Sequence, residues 1–329
     1  MQDKLTPRQV RAWSLCALSV PAAMALPGCG WLWVLGGSIL ACALAACQQA
    51  MQRHSGLCMR QAFARAFGAG GGRIMAAAEL LWLLFAASGA AAASQIAFED
   101  DLGPFLPAIP LLLAALAGQK GRLAAGRVCA VLALCLAGLY AVIAAASLRH
   151  VQADWSRPQG VPADAALAFC LCLGPVCMAF VTAEEETPRI SPGTAAASAL
   201  LPAVPAFLTA ACLSPELARQ EPLPFLTLTK SLSVLSVMQR FELLLSVAQL
   251  LGLFALLTML VCAAERMLGA VRRKNGMGST GGVFCLLAFG GSILAYRLPI
   301  WSWAVGAAIF WGVVPILTQV IVNIKKSEK

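Results

Sequence analysis

The stretch AWSLCALSVPAAMALPGCGWLWVLGGSILACALAACQQAMQ, Ala12–Gln52, contains no Asp, Glu, Lys or Arg. One helix needs about 20 predominantly apolar residues to cross a bilayer, and similar uncharged stretches recur as far as the C-terminus. The chain of 329 residues is 60% hydrophobic and 12% charged, with a mean hydropathy of +0.79. Because a soluble core does not require so many such stretches, the sequence predicts an all-α membrane protein with several spans.

Charged residues and prolines delimit ten predicted spans, numbered here in chain order. They lie at about 12–28, 31–50, 74–97, 103–118, 124–147, 165–183, 194–213, 240–264, 280–296 and 299–323. Pro104, Pro107 and Pro110 crowd the start of span 4, which requires a kink or a late start. The spans form one transmembrane domain over residues 1–329. The connection 213–239 is apolar enough to lie partly in the membrane.

The basic residues predict the orientation of the chain. Eighteen of the 24 Lys and Arg residues fall on the side that holds both termini. The other side holds six, namely Arg149, Arg157, Arg219, Lys230, Arg240 and Arg297. By the positive-inside rule both termini are expected to be cytoplasmic. The net charge of +9 would attract anionic lipid headgroups. No nucleic-acid partner is expected, since no basic patch interleaved with aromatic residues lies on a soluble face.

Two apolar spans contain a break at mid-depth. Span 1 carries Ser19-Val20-Pro21-Ala22-Ala23, and span 6 carries Leu173-Gly174-Pro175-Val176. Each break belongs to the first span of a five-span half, with halves at about 12–147 and 165–323. Since an odd number of spans inverts the second half, the pattern predicts a LeuT-like 5+5 inverted repeat with broken helices 1 and 6.

Broken helices expose backbone N–H and C=O groups to a ligand at the middle of the membrane. A small-molecule site is therefore predicted between the two breaks. Its expected residues are Ser19, Pro21, Ala22, Ala23, Gly174, Pro175 and Val176. The alternative is that these prolines only kink their helices, as prolines commonly do in membrane proteins.

Ionisable residues near the spans give further candidates. Glu79 is expected at the cytoplasmic interface, where it would snorkel or pair with Arg73. Gly68–Arg73 is predicted to form a flexible cytoplasmic turn. Arg240 and Glu242 open span 8 at the outer face, where they could form a gate or a subunit contact. Glu242 could equally complement the positive end of its helix.

Motifs of catalysis are missing from the sequence. It contains no nucleophile–base arrangement, Walker loop, HExxH motif or dinucleotide fingerprint. The thirteen cysteines are scattered along the spans without a CxxC pair, which does not predict a metal site. The chain is therefore expected to be neither an enzyme nor a protein with a metal or cofactor.

One stretch resembles a known family. The sequence PFLTLTKSLSVLSVMQRFE (Pro224–Glu242), followed by a long apolar helix that ends in AAERMLG (Ala263–Gly269), is similar to the spore germination permease family. These proteins are the integral B subunits of GerA-type germinant receptors. Arg240 and Glu242 fall on the Arg-x-Glu ending of the family pattern. Gly118-Gln-Lys-Gly121 followed by Arg127 also resembles its approach to span 5.

The resemblance extends over nearly the whole chain and has several implications. It implies the amino acid–polyamine–organocation fold, with spans 1, 3, 6 and 8 around a small-molecule site. It also implies A and C partner subunits, a spore inner membrane or cell membrane location, and an amino-acid-like germinant. Family members often carry an acidic residue after the span 6 break, where this chain has Cys177 and Met178. The expected function is therefore that of a B-subunit-like receptor component with a transporter fold, which binds an amino-acid-like germinant and signals germination. The alternatives are a secondary amino acid transporter and a structural subunit that has lost its ligand.

Overall fold

The computed structural model describes residues 4–97, 107–182, 191–232, 241–272, 280–295 and 297–327. The regular structure in these ranges is helical. The first half consists of α1 (Pro7–Met24), α2 (Trp31–Ser55), α3 (Met59–Ala97), α4 (Ala108–Gln119) and α5 (Arg122–Ser147). The second half consists of α6 (Pro162–Leu171), α7 (Met178–Val181), α8 (Pro192–Leu213), α9 (Pro215–Gln220), α10 (Pro224–Ser231), α11 (Phe241–Arg272), α12 (Thr280–Ala295), α13 (Ile300–Ala307) and α14 (Val314–Ser327).

A helix occupies each of the ten predicted span positions. Within the described residues, six helices are long and apolar enough to cross a membrane. They begin at Trp31, Met59, Arg122, Pro192, Glu242 and Ile300. Shorter apolar helices stand at spans 4, 6 and 9, and α1 stands at span 1. The chain therefore has several apolar helices typical of a multi-pass membrane protein, while the count of ten crossings stays a prediction.

The outer surface of the helices is strongly apolar. Among the most exposed side chains are Leu134 at 76%, Leu294 at 75%, Leu286 at 74% and Ile74 at 71%. Soluble monomers rarely expose contiguous apolar surface on this scale. Lipid is the solvent that these side chains fit.

The predicted break in span 6 is confirmed. Helix α6 ends at Leu171, a 3₁₀ segment follows at Gly174–Cys177, and α7 begins at Met178. Pro175 cannot donate a backbone N–H and Gly174 has no side chain to pack, so this Gly-Pro pair disfavours a continuous helix. The chain therefore leaves α6 and α7 as two half-helices around an irregular segment.

The predicted break in span 1 is wrong. Helix α1 runs through Pro21 without interruption and ends at Met24, after which the chain turns. Pro21 lies in the last turn of this helix, and its own carbonyl accepts hydrogen bonds from the N–H groups of Ala25 and Leu26. A proline so close to a helix end removes one hydrogen bond without creating a second half-helix. No half-helix N-terminus therefore forms at 22–25.

The predicted turn at 68–73 is shorter in the structure. Helix α3 consists of two helical segments that meet at a kink at Gly68, whose φ of 76° is left-handed. The two segments pack against each other, because a Cβ atom on Gly72 would lie 2.8 Å from the Cα atom of Ala64. The glycines at 70–72 are therefore helical although their propensity favours a turn.

Both ends of the described chain lie at one face of the bundle, called here the terminal face. Leu5 contacts Gly126 near the start of α5. Lys325 Nζ donates to the carbonyl of Ala66, and Lys326 Nζ donates to the carbonyl of His54. The connections 25–30, 148–161, 214–223 and 297–299 belong to the other end of the helices, called here the opposite face.

One carboxylate ties together three connections at the opposite face. Asp164 Oδ2 accepts hydrogen bonds from the N–H groups of Gly30 and Val161, at 2.8 and 3.2 Å. The same oxygen lies 3.6 Å from an Arg219 guanidinium nitrogen. Asp164 therefore joins the α1–α2 turn to the start of α6 and to the short helix α9.

Candidate functional site

A cavity of about 370 Å³ lies beside the break between α6 and α7. Its walls come from α1, α3, α6, α11, span 10 and the connection before α10. Residues that define its shape are Pro21, Trp82, Leu171, Gly174, Trp303 and Trp311. Among the described residues, none that lines it is charged. The cavity is thus an apolar chamber of the size that small-molecule sites have in proteins.

The break in span 6 shapes one wall of this cavity. Gly174 lies on the wall, and a Cβ atom built on it would meet no atom within 4 Å. A side chain at this position would therefore project into open space. Because α6 stops at Leu171, the carbonyls of its last turn have fewer helical partners and can accept hydrogen bonds from a ligand.

Two tryptophans and two glycines interlock α3 with α13 on the other wall. A Cβ atom on Gly89 would lie 2.5 Å from the ring of Trp303, and one on Gly306 would lie 2.1 Å from the ring of Trp82. Each helix thus places an indole over a glycine of its partner. Phe85 stacks on Trp303 with ring centroids 3.9 Å apart. We call these two reciprocal Trp–Gly contacts the indole clasp.

Span 10 is irregular at the cavity. A π segment, Ala308–Val313, separates α13 from α14. It contains Trp311, whose indole borders the cavity, and Phe310, which stacks on Trp82 at an interplanar angle of 7°. Short π segments inside α-helices occur frequently at functional sites. The cavity is therefore flanked by irregular backbone in span 6 and in span 10.

The cavity reaches the opposite face and is closed towards the terminal face. Pro222, Leu223 and Leu298 line it, and they belong to connections of the opposite face. Towards the terminal face the packing is continuous, with Phe63 and Phe180 fully buried and their rings 6.3 Å apart. On the side of this aromatic pair that faces the terminal face, the Arg266 guanidinium donates a hydrogen bond to the carbonyl of Val181.

The structure brings part of the predicted site to the cavity. Pro21 and Gly174 line it. Ser19, Ala22, Ala23 and Val176 are buried but do not line it.

The residues away from the cavity have other packing partners. The hydroxyl of Ser19 donates to the carbonyl of Cys16 and faces Gly252 of α11. Ala23 packs in a separate cluster with Leu208 and Phe225. Pro175 lies in the 3₁₀ segment, with its side chain outside the described residues. Ligand binding by any of these residues stays a prediction.

The predicted gate residues lie at the edge of what the structure describes. Glu242 is half-buried in the first turn of α11, where a carboxylate complements the positive end of a helix. Arg240 lies outside the described residues. Glu242 does not border the cavity, and a gating or subunit-contact role for either residue stays a prediction.

The position that the sequence predicts for Glu79 differs from its position in the structure. It is 1% exposed and lies inside the bundle, so the expected interfacial position beside the exposed Arg73 is wrong. Glu79 is one helical turn from Trp82, on the side of the cavity that faces the terminal face. The error arose because the helical segment that contains Glu79 begins just after the kink at Gly68 and not at residue 74, which moves Glu79 deeper into the helix.

Comparisons with known proteins identify the fold. No protein-family model and no curated protein matches this chain. Among solved structures, it is similar to Mhp1, a nucleobase-cation-symport-1 family transporter in a closed conformation with bromovinylhydantoin bound. The TM-score is 0.65 at 12% sequence identity, over 96% of this chain and 77% of that chain. The chain therefore has the fold of a LeuT-type secondary transporter.

Proposed function

We propose that this chain binds a small molecule in the cavity and alternates between states open to opposite faces, as a secondary transporter does. The observation that carries the proposal is the one-sided cavity beside the span 6 break, which reaches the opposite face and is closed at the terminal face. Spans 1–5 and 6–10 would act as the two inverted halves of such a machine, with the ligand at their interface.

The cavity wall suggests the class of ligand. Three tryptophans and several aliphatic residues surround the space, and among the described residues no charged side chain lines it. A molecule that fits has a large apolar or planar part and one compact polar group, because a buried polar group without a partner is costly. Amino acids with large apolar side chains and substituted planar heterocycles both meet this description. The bromovinylhydantoin bound to the similar transporter is a molecule of the second kind.

A germinant receptor is the second candidate. It is supported by the resemblance of Pro224–Glu242 to the spore germination permeases, and part of this stretch forms α10, which begins one residue after the cavity-lining Leu223. In this case the ligand is an amino-acid-like germinant, and the A and C receptor subunits respond to the conformational change that ligand binding causes. A ligand can shift a conformational equilibrium by binding one state better, without being transported.

Experiments on purified protein test both proposed functions, the transporter and the germinant receptor. Ligand-dependent thermal stabilisation would be measured for phenylalanine, leucine, glycine and a 5-substituted hydantoin, and the binders would then be tested for uptake into proteoliposomes. We expect stabilisation by the molecules with a large apolar part and none by glycine. Uptake driven by a proton or sodium gradient would favour the transporter. Binding without uptake, together with lost germination in spores that lack the chain, would favour the receptor. Absence of stabilisation by every compound would contradict both.

A further inference from the structure

A carboxyl group without a partner lies at the closed end of the cavity. Both carboxyl oxygens of Glu79 are buried and form no hydrogen bond within the described part of the chain. The indole N–H of Trp311 lies nearby but does not form a hydrogen bond of good geometry. Since buried polar groups in native proteins are nearly always hydrogen-bonded, this orphaned carboxyl calls for a functional explanation.

Within the described residues, the elements packed against α3 bring no positive group into hydrogen-bond range of the Glu79 carboxyl. Helices α4, α7, α11, α12, α13 and α14 pack against α3. Within the described residues, α4, α7 and α13 carry no titratable side chain. Those on the other packed elements are Cys177, which ends the 3₁₀ segment, Glu242, Cys262, Glu265, Arg266 and Arg272 on α11, Cys285 on α12, and Lys325 and Lys326 on α14. Of these, Cys177 lies within electrostatic range of Glu79. Arg266 binds the Val181 carbonyl, and the two lysines bind carbonyls at the terminal face.

A charge on this carboxyl would be uncompensated. Burying an isolated carboxylate costs far more than burying a neutral carboxylic acid. A sodium ion would need a shell of several oxygen ligands, and the oxygens of Glu79 have no described hydroxyl or amide group bound to them. The occupant that neutralises the group with the fewest partners is a proton.

We propose that Glu79 is a proton-binding site whose release of the proton is linked to opening of the cavity at the terminal face. On release, the O–H bond of the carboxylic acid breaks, the carboxylate keeps the electron pair, and water entering from the terminal face takes the proton. The carboxylate requires that water, so it stabilises the open arrangement, whereas the neutral acid fits the closed one.

The 3₁₀ segment connects this proton site to the ligand. Its first residue, Gly174, lines the cavity, and its last residue, Cys177, lies within electrostatic range of Glu79. Ligand and proton therefore act on opposite ends of the same four residues, Gly174–Cys177. Two sites that bias one two-state element are thermodynamically coupled. This link rests on the proposed alternating function, but the proton site itself can be tested without any ligand.

The reactivity of Cys177 with N-ethylmaleimide tests the proposal. Cys177 is fully buried and within electrostatic range of Glu79, and peptide mass spectrometry can follow each of the thirteen cysteines separately. In the ligand-free full-length protein we expect labelling of Cys177 to rise severalfold from mildly acidic to mildly alkaline pH. In E79Q, which cannot ionise, labelling should stay low at every pH. In Glu79→Asp the pH dependence should return.

A negative charge on Glu79 disfavours the thiolate of Cys177, so low labelling in E79Q cannot arise from the ionisation of the thiol itself. Cys16, buried elsewhere in the bundle, should remain unlabelled throughout and controls for general unfolding. The same pH profile in wild type and E79Q would overturn the proposal. So would a wild-type Cys177 that stays unreactive at all pH values, a result that does not depend on whether E79Q folds. Because no ligand is present, neither outcome can be confused with a failure to bind one.

Discussion

Gly174 shows how a single residue can carry two functions, since it interrupts span 6 and leaves room in the cavity wall. Its missing side chain leaves open space within 4 Å, and its place before Pro175 marks the end of regular helix. Both consequences follow from local chemistry, which is why the sequence predicted them. The sequence did not predict that Glu79 would be buried, because its depth depends on the kink at Gly68, where the helical segment that contains Glu79 begins.

Filling the space at Gly174 should block ligand binding. We expect Gly174→Leu to weaken binding of the preferred ligand by about tenfold or more, because overpacking typically costs about 1–3 kcal/mol. Gly174→Ala should weaken it less. Gly290→Leu is the matched control, since Gly290 is exposed and also has open space around it. Isothermal titration with protein of normal expression measures the change. Equal affinity in Gly174→Leu and wild type would place the ligand elsewhere.

At the scale of helices, the positions of the spans could be predicted from sequence because apolar length is a local property. Tertiary packing decided the rest. Prolines at 202 and 205 lie inside the continuous helix α8, and Pro21 lies inside α1, so proline alone does not separate a broken helix from an unbroken one. The Gly-Pro pair at 174–175 does mark the break in this chain.

Contact between α2 and α6 depends on one close approach of backbone. A Cβ atom on Gly37 would lie 2.3 Å from the carbonyl oxygen of Ala165, and backbone cannot yield as a flexible side chain can. Small residues allow membrane helices to approach in this way. We expect Gly37→Val to lower the free energy of unfolding by about 1–3 kcal/mol. Gly36→Val should have little effect, since its Cβ would meet nothing within 4 Å.

Thermal unfolding of the purified variants measures this difference. A Gly37→Val protein as stable as Gly36→Val would show that α2 and α6 are not packed as closely as described. Asp164 would then be the main tie between the two helices, through its bond to the N–H of Gly30.

At the scale of the whole molecule, the charge bias predicts which face meets the cytoplasm. The structure places the two described ends at one face, but orientation in a membrane depends on insertion and not on packing. We expect an epitope inserted after Asp154, in an exposed connection of the opposite face, to be detected by antibody on intact cells.

An epitope at the C-terminus should be detected after permeabilisation alone. The two tags control for each other, because both proteins carry the same spans. Detection of the C-terminal tag on intact cells would reverse the predicted orientation, and the cavity would then open towards the cytoplasm.

The indole clasp restricts which parts of the cavity wall can move. With Trp82 seated over Gly306 and Trp303 over Gly89, sliding of α3 along α13 would drive each ring into the backbone beyond its glycine. The clasp therefore favours movement of these two helices together. A change in the width of the cavity is then expected from the other elements of its wall, which include α1, α6 and α11, so the molecule has a fixed wall and a hinged one.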